Sequence, residues 1–539
     1  MKRESGRRIV KDMRDWISWL EEEGQLARVK AQVDWDEEMG TITRRAYDVY
    51  GDASPALLFE NIKDYPSAKG PSQVFIGQFR SYARLAMMFG LDPRKTQRRD
   101  IIARYRECMR NIVPRKTVAT GPCKEVILTG KDIDVWKFPV PMWHHRDGGR
   151  YVGTMHGVVT KDLNSDWINI GLYRVMVLDK DKLAVYLRPG RQHIGQQFIA
   201  YRDAKKRMPV SIIIGLEPSL PFCFSTGIPR MVCEYDVAGA VRGAPVEVVK
   251  GETNDLPVPA ASEIVIEGYI EPGEMAPEGP FGEYPGYYGE LPGPSPVMHI
   301  TAITHRRDPI FQGSLEGHPI NESHVLASVS KTATAWEALE NAGITGIRDV
   351  ATLPESGSAH IVVSCKMSVA GQPDWICSVL WGQSNATWHW KHVIVVDEDI
   401  DPWDPQMVTW AISWRVKASE DIKIWPRHRG SPIDPRAAPD EKGYWDRVLI
   451  DATKPFNWEP RAIWGSEGVN KGEPQKFPPT TIPQSSSIRK VNARWKELGI
   501  APTKHYIGTA TGMMRAWWEE PENGGSGGGE APAVDPGGM

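Results

Sequence analysis

At 539 residues the chain is too long for one ordinary core, so two or three domains are expected. With 41% apolar and 25% charged residues and a formal charge of −3, it has a globular composition without the basic excess of a dedicated nucleic-acid binder. No apolar stretch reaches the length of a signal peptide or a membrane span, so a cytoplasmic location is expected, with neither membrane nor nucleic acid as partner.

In chain order, residues 9–30 read as an amphipathic helix, with Met13, Trp16, Ile17 and Leu20 at helical spacing. A second helical pattern covers 38–50, a β-like run follows at 74–77, and 94–111 is helical again. From about 120 to 305 short β-branched runs recur between turn signals, which predicts a β-barrel or sandwich with helix mainly near 196–207. From about 316 to 480 strands and helices alternate. A helix ends at Gly343, and SAHIVVSCKMS and KHVIVVDEDID read as buried strands of an α/β layer with partly parallel sheet. A further helix is expected at about 486–498, and the Gly/Pro-rich end is expected to be disordered. Six scattered cysteines form no C-x-x-C pair, so reduced and mostly buried thiols are expected. The 21 tryptophans are more often packing residues than walls of a flat pocket.

Three constellations carry chemistry. The first is Asn169-Ile-Gly-Leu-Tyr-Arg174 with Arg191-Gln192-His193, which offers an amide oxygen, an imidazole and a guanidinium fork suited to carboxylate or phosphate. In a regular strand Asn169 and Arg174 would face opposite sides, unless a bulge at Gly171 re-aims one of them. The second is Ser225-Thr-Gly-Ile-Pro-Arg-Met-Val-Cys-Glu234, where small residues permit a close backbone approach and Glu234 supplies a charged oxygen. The third is Pro277-Glu278-Gly-Pro-Phe-Gly-Glu283-Tyr-Pro-Gly-Tyr-Tyr. Its prolines and glycines can fix two carboxylates rigidly, and its aromatic residues can desolvate them. Taken alone, this glutamate pair also permits an acid-pair glycoside hydrolase.

Together these segments resemble the UbiD family of reversible decarboxylases that use prenylated FMN. The likeness covers most of the chain and continues through A-G-A-V-R-G-x-P-V-E-V-V-K and K-H-V-I-V-V-D-E-D-I-D. It implies a mixed α/β fold. An N-terminal α/β segment (1–118) would precede a central split β-barrel cofactor domain (119–315). A C-terminal α/β dimerisation domain (316–482), a terminal helix (483–520) and a tail (521–539) would follow.

The resemblance also implies a set of roles. Asn169, His193 and Glu234 would hold Mn²⁺ or Mg²⁺ on the cofactor phosphate, with K⁺ nearby. Ile170, Gly171, Gln192, Ser225, Thr226 and Pro229 would line the flavin, and Lys391 would meet its phosphate. Arg174, Glu278 and Glu283 would be catalytic. Arg174 would orient the departing carboxylate, Glu278 would hold Arg174, and Glu283 would protonate the carbon while the flavin bonds covalently to the substrate. The substrate wall would include His324, Leu326, Trp388, Trp390 and the stretch 427–432, facing an aromatic or heteroaromatic acid, polycyclic ones included. Further implications are a homodimer able to build hexamers and dependence on a flavin prenyltransferase for cofactor. Carbon dioxide would be the co-product, or the co-substrate if the enzyme runs as a carboxylase. A subunit of a multi-component aryl carboxylase is the remaining alternative.

Overall fold

A computed structural model describes residues 7–188, 192–289, 292–383, 390–459, 476–481, 483 and 485–499. Asp12 caps the first helix, Met13–Glu22, by accepting the Asp15 N–H, and Met13, Trp16, Ile17 and Leu20 form its buried stripe. The helix is shorter than the expected 9–30 because Gly24 adopts φ +65° and turns the chain into β1 (Leu26–Val29). Strand β1 pairs in parallel with β2 (Ala56–Phe59), which pairs antiparallel with β3 (Gln73–Ile76). Helices Glu38–Tyr50 and Arg98–Arg110 lie where helical patterns were read.

The central region begins at β4 (Lys116–Thr117) and continues through β5 (Val126–Thr129), β6 (Tyr151–Gly153) and β7 (His156–Lys161). It proceeds through β8 (Ile168–Gly171), β9 (Val175–Asp179), β10 (Lys182–Val185) and β11 (Met208–Ile214). After the small strands β12 (Glu247–Lys250), which pairs with β4, and β13 (Pro257–Pro259), which pairs with β12, come the long β14 (Ile264–Glu278) and β15 (Gly293–His305). The large sheet runs β6-β9-β10-β15-β14-β11-β7-β8, with β5 also on β15.

Residues 172–174 alone join β8, at one end of this path, to β9, near the other. That link reaches about 14 Å at full extension. A flat sheet would hold the two strands about 30 Å apart at the usual inter-strand spacing. The sheet must therefore curl, and it forms the incomplete barrel expected for this region.

Both faces of the curled sheet are buried. Val158, Val210, Ile212 and Ile266 feed one core, while Val159, Ile213 and Val265 feed another shared with Phe222, Tyr235 and Leu326. Helices His193–Asp203, Ser219–Phe224 and Glu234–Arg242 follow strands of this sheet, so two helix N-termini start at residues singled out above.

Strand β16 (Ile310–Gln312) returns to pair with β3 and completes the N-terminal sheet. The long helix Glu322–Asn341 then ends before Gly343, which has φ +74°. Strands β17 (Ile347–Thr352), β18 (His360–Cys365), β19 (His392–Asp397), β20 (Ile422–Arg429) and β21 (Tyr444–Ala452) form the last sheet, ordered β17-β18-β19-β21-β20. Its three inner strands are parallel and its two edges antiparallel, so the partly parallel layer is present.

The chain divides into the units Met1–Glu459 and Pro460–Met539, a break that falls within the segment 316–482 read as one domain. The second unit contains the helix Ser485–Ala493, inside the expected 483–520. Residues 500–520 and the tail 521–539 lie outside the described residues. All six cysteines are free and buried. Among the described residues no helix is long and apolar enough to cross a membrane.

Candidate active site

Arg174 is the hub. Strand β8 keeps regular register with β7 as far as Gly171, then the chain leaves the sheet. The strand alternation that would separate Asn169 from Arg174 therefore stops before Arg174, and no bulge is required. Gly171 serves another purpose: a Cβ there would lie 2.6 Å from the ring and hydroxyl of Tyr173, which folds back over it.

Arg174 Nε and Nη2 donate to Glu278 Oε1 and Oε2, both at 2.8 Å, and Nη1 donates to Glu283 Oε1. Its guanidinium carbon sits 3.8 Å from the Tyr186 ring centroid, and its side chain is 9% exposed. Burial opposes the positive charge, but the two carboxylates outweigh it and raise the guanidinium pKa. Glu278, the last residue of β14, also accepts the Tyr151 hydroxyl at 2.7 Å. Both of its oxygens are thus occupied, which leaves it poorly suited to be half of a glycosidase acid pair.

The loop carrying Glu283 is tied at several points. Asp147 Oδ1 accepts the Gly282 N–H at 2.9 Å, and the Glu283 N–H donates to the Tyr287 carbonyl at 2.9 Å. A Cβ at Gly282 would lie 2.5 Å from His144 Nδ1, so only glycine fits against that imidazole. Burial raises the Glu283 carboxyl above its ordinary value; Arg174 pulls it back and Glu278 pushes it up again, for a net rise.

The second group gathers around β8. Glu234 opens the helix Glu234–Arg242 and accepts the Ile170 N–H at 2.9 Å. His193 opens the helix His193–Asp203, its ring 5.0 Å from that of Trp167. Asn169 is buried, donates to Thr160 Oγ1 at 3.3 Å, and meets the Tyr173 hydroxyl, which also meets the Ile194 N–H. Burial pushes the Glu234 carboxyl up to about 8, and no cationic side chain is paired with it among the described residues. Burial, reinforced by Arg230, lowers the His193 pKa and keeps the imidazole neutral.

This donor set fits a divalent cation: a neutral imidazole, an amide oxygen and a carboxylate without a counter-charge. Among the described residues no cluster of three or more His, Cys, Asp or Glu has metal-site geometry, so Asn169 would have to supply the third donor.

A cavity of about 240 Å³ is lined by Arg174 and Glu283 of the first group, and it nears the second through Tyr173, which meets Asn169, and Gln192, which precedes His193. Tyr186, Gln192, Glu316, Ser323 and the stretch 429–433 complete its lining.

Three family profiles cover the chain in order, each described as a domain of 3-octaprenyl-4-hydroxybenzoate carboxy-lyase. The N-terminal domain matches residues 17–104, the Rift-related domain 115–319 and the C-terminal domain 324–452. A pyrrole-2-carboxylic acid decarboxylase of Pseudomonas aeruginosa is 32% identical over 510 residues, covering 91% of this chain and 99% of the relative. The chain belongs to the UbiD family.

Among solved UbiD-class structures, the closed form of vanillic acid decarboxylase from Sedimentibacter hydroxybenzoicus aligns with TM-score 0.79 at 30% identity, covering 92% of this chain and 100% of that one. An evolved dimeric form of HmfF from Pelotomaculum thermopropionicum, in complex with prenylated FMN, aligns with TM-score 0.71 at 29% identity, covering 84% and 97%.

Within this UbiD-family chain not every residue singled out from sequence reaches the cavity. His324 is 1% exposed; its Nε2 donates to the Tyr284 carbonyl at 2.7 Å and its Nδ1 accepts the Asn321 N–H at 3.0 Å. One neutral tautomer satisfies both bonds, and burial pushes its pKa down to about 3. Leu326 lies in the hydrophobic core, and Trp390 is buried with its indole N–H on Thr352. Trp388 lies outside the described residues. Gly430, Ser431 and Pro432 of the stretch 427–432 do line the cavity. Lys391 pairs with Asp434 at 2.7 Å, just beyond that stretch. Ser225 and Thr226 turn back to cap the Phe222 and Cys223 carbonyls, and Pro229 accepts the Val232 N–H in the next turn.

Sequence reading missed Tyr151, Tyr173, Tyr186 and Glu316. Only position 173 carried a local signal, inside the N-I-G-x-Y-R segment.

Proposed function

We propose that this chain decarboxylates an aromatic or heteroaromatic carboxylic acid with prenylated FMN as cofactor. The observation that carries the proposal is Glu283, a carboxyl with a side chain 14% exposed and a raised pKa, held on Arg174 at the cavity wall. Decarboxylation leaves an electron pair on carbon, and the modified flavin supplies the electron sink that no side chain provides. Asn169, His193 and Glu234 would hold a divalent ion, Mn²⁺ or Mg²⁺, and with K⁺ it would neutralise the flavin phosphate.

Arg174 spends three of its five N–H donors on Glu278 and Glu283, which leaves two for the substrate carboxylate. Glu278 and Tyr186 keep the fork aimed. A bound substrate anion adds negative charge beside Glu283 and raises its pKa further, so binding loads Glu283 with the proton it later delivers to carbon. Carbon dioxide leaves as a neutral molecule, so the electron pair stays behind and the carbon takes the proton from Glu283, which becomes the carboxylate that Arg174 pairs with. The same steps in reverse would carboxylate an arene at high carbon dioxide. We further propose a homo-oligomer built from dimers.

The test is co-expression with a flavin prenyltransferase, followed by mass analysis of the released cofactor and a carbon dioxide assay over a panel of aromatic acids. Prenylated FMN with carbon dioxide release supports the proposal. Anaerobically handled protein that carries only plain FMN, or none, contradicts it.

A further inference from the structure

Glu316 belongs to none of the constellations read from sequence, yet it lines the same cavity as Arg174 and Glu283. It lies between β16 and the helix Glu322–Asn341. The Ser323 hydroxyl donates to its Oε1 at 2.5 Å. Its backbone carbonyl lies 3.2 Å from His144 Nε2, and His144 Nδ1 lies 3.1 Å from Asp147 Oδ2. Asp147 is the residue whose other oxygen holds Gly282. One scaffold therefore fixes both the Glu283 loop and Glu316.

The second oxygen, Oε2, has no protein partner among the described residues, and no cation lies within salt-bridge distance of the carboxyl there. Burial, partly offset by the Ser323 bond and reinforced by Glu283, pushes this carboxyl up to about 7. The cavity wall thus presents, besides Arg174, a carboxyl with one oxygen oriented by Ser323 and the other open. Such an atom costs free energy in a dry site until a donor meets it.

Building on the decarboxylase reading, we infer that Glu316 recognises a hydrogen-bond donor on the ring of the acid, a ring N–H or a phenolic O–H. Arg174 takes the carboxylate that leaves, and Glu316, oriented by Ser323, takes the donor. An acid whose ring carries only acceptors leaves Oε2 of the ionised carboxyl unpaired and binds that form more weakly. The cavity therefore selects by chemistry as well as by shape.

The experiment measures calorimetric binding of two matched pairs to the cofactor-loaded enzyme: pyrrole-2-carboxylate against furan-2-carboxylate, and 4-hydroxybenzoate against benzoate. The donor-bearing acid of at least one pair binds at least about tenfold more tightly than its partner. Glu316→Leu removes that preference, and the nearly isosteric Glu316→Gln, which keeps an acceptor oxygen, retains part of it. Glu316→Gln also guards against a folding defect in the leucine variant. A wild-type enzyme without the preference, or a preference that survives Glu316→Leu, overturns the inference. A Glu316-dependent preference without carbon dioxide release from any acid sinks the decarboxylase reading and leaves this one standing. Carbon dioxide release with no dependence on Glu316 does the reverse.

Discussion

The Arg174 cluster and the Asn169–His193–Glu234 group are built on opposite electrostatic plans. Around Arg174 the charges are present in the protein: a guanidinium is gripped by Glu278 and Glu283, stacked on Tyr186 and braced through Tyr151. Around β8 the charge is incomplete, because Glu234 is buried without a cation and His193 is held neutral. A site that aims a substrate must be preorganised before substrate arrives. A site that anchors a metal-bound phosphate instead keeps its donors uncompensated until the metal completes them.

The largest effect that would break this contrast is Arg174→Ala. It strands two buried carboxylates, so denaturant unfolding should show a loss of about 3–5 kcal/mol. Carbon dioxide release should fall at least about 100-fold. Combining Arg174→Met with Glu278→Leu and Glu283→Leu should recover most of the stability and none of the activity. An Arg174→Ala protein of unchanged stability would mean that the cluster is not electrostatically closed.

The next prediction concerns metal-free protein. The folded-state pKa of Glu234 is raised to about 8, so this carboxyl favours folding only while protonated. Its contribution is full below its unfolded pKa of about 4.3 and is lost as pH rises from there towards 8. Melting temperatures across that window should fall less steeply in Glu234→Gln, and adding Mn²⁺ to the wild type should raise the midpoint most at the alkaline end. Parallel curves for wild type and variant would contradict the uncompensated state of this group.

The smallest expected effect is that of His324→Ala. Losing its two hydrogen bonds should cost about 1–3 kcal/mol of stability and lower the rate modestly through the Tyr284 backbone. A large rise in KM at unchanged stability would instead place His324 against the substrate.

How much of this was readable from sequence follows from where each signal resides. Arg174, Glu278 and Glu283 sit in dense local motifs, so their association was legible, as were the α/β–barrel–α/β order and the helices at 38–50 and 98–110. The route of Arg174 to its partners was not legible. Strand alternation set it apart from Asn169, and only the three-residue crossing between β8 and β9 resolves that conflict. Tyr151 and Glu316 stand in unremarkable stretches and gain meaning through partners 127 and 7 residues away. The packing use expected of most tryptophans holds for Trp16 and Trp143, and it holds too for Trp390, which the family resemblance would set on the substrate wall. His324 misled because the helix start that exposes such a residue in sequence is, once folded, closed by its own capping bonds.

The most direct test of the central claim compares wild type with Glu283→Gln, both loaded with prenylated FMN and matched for cofactor content by mass analysis. On an acid that the wild type decarboxylates, the variant should retain the flavin and lose about 100-fold or more in carbon dioxide release. Equal rates at equal cofactor content would show that the proton comes from elsewhere and would contradict the role given to Glu283.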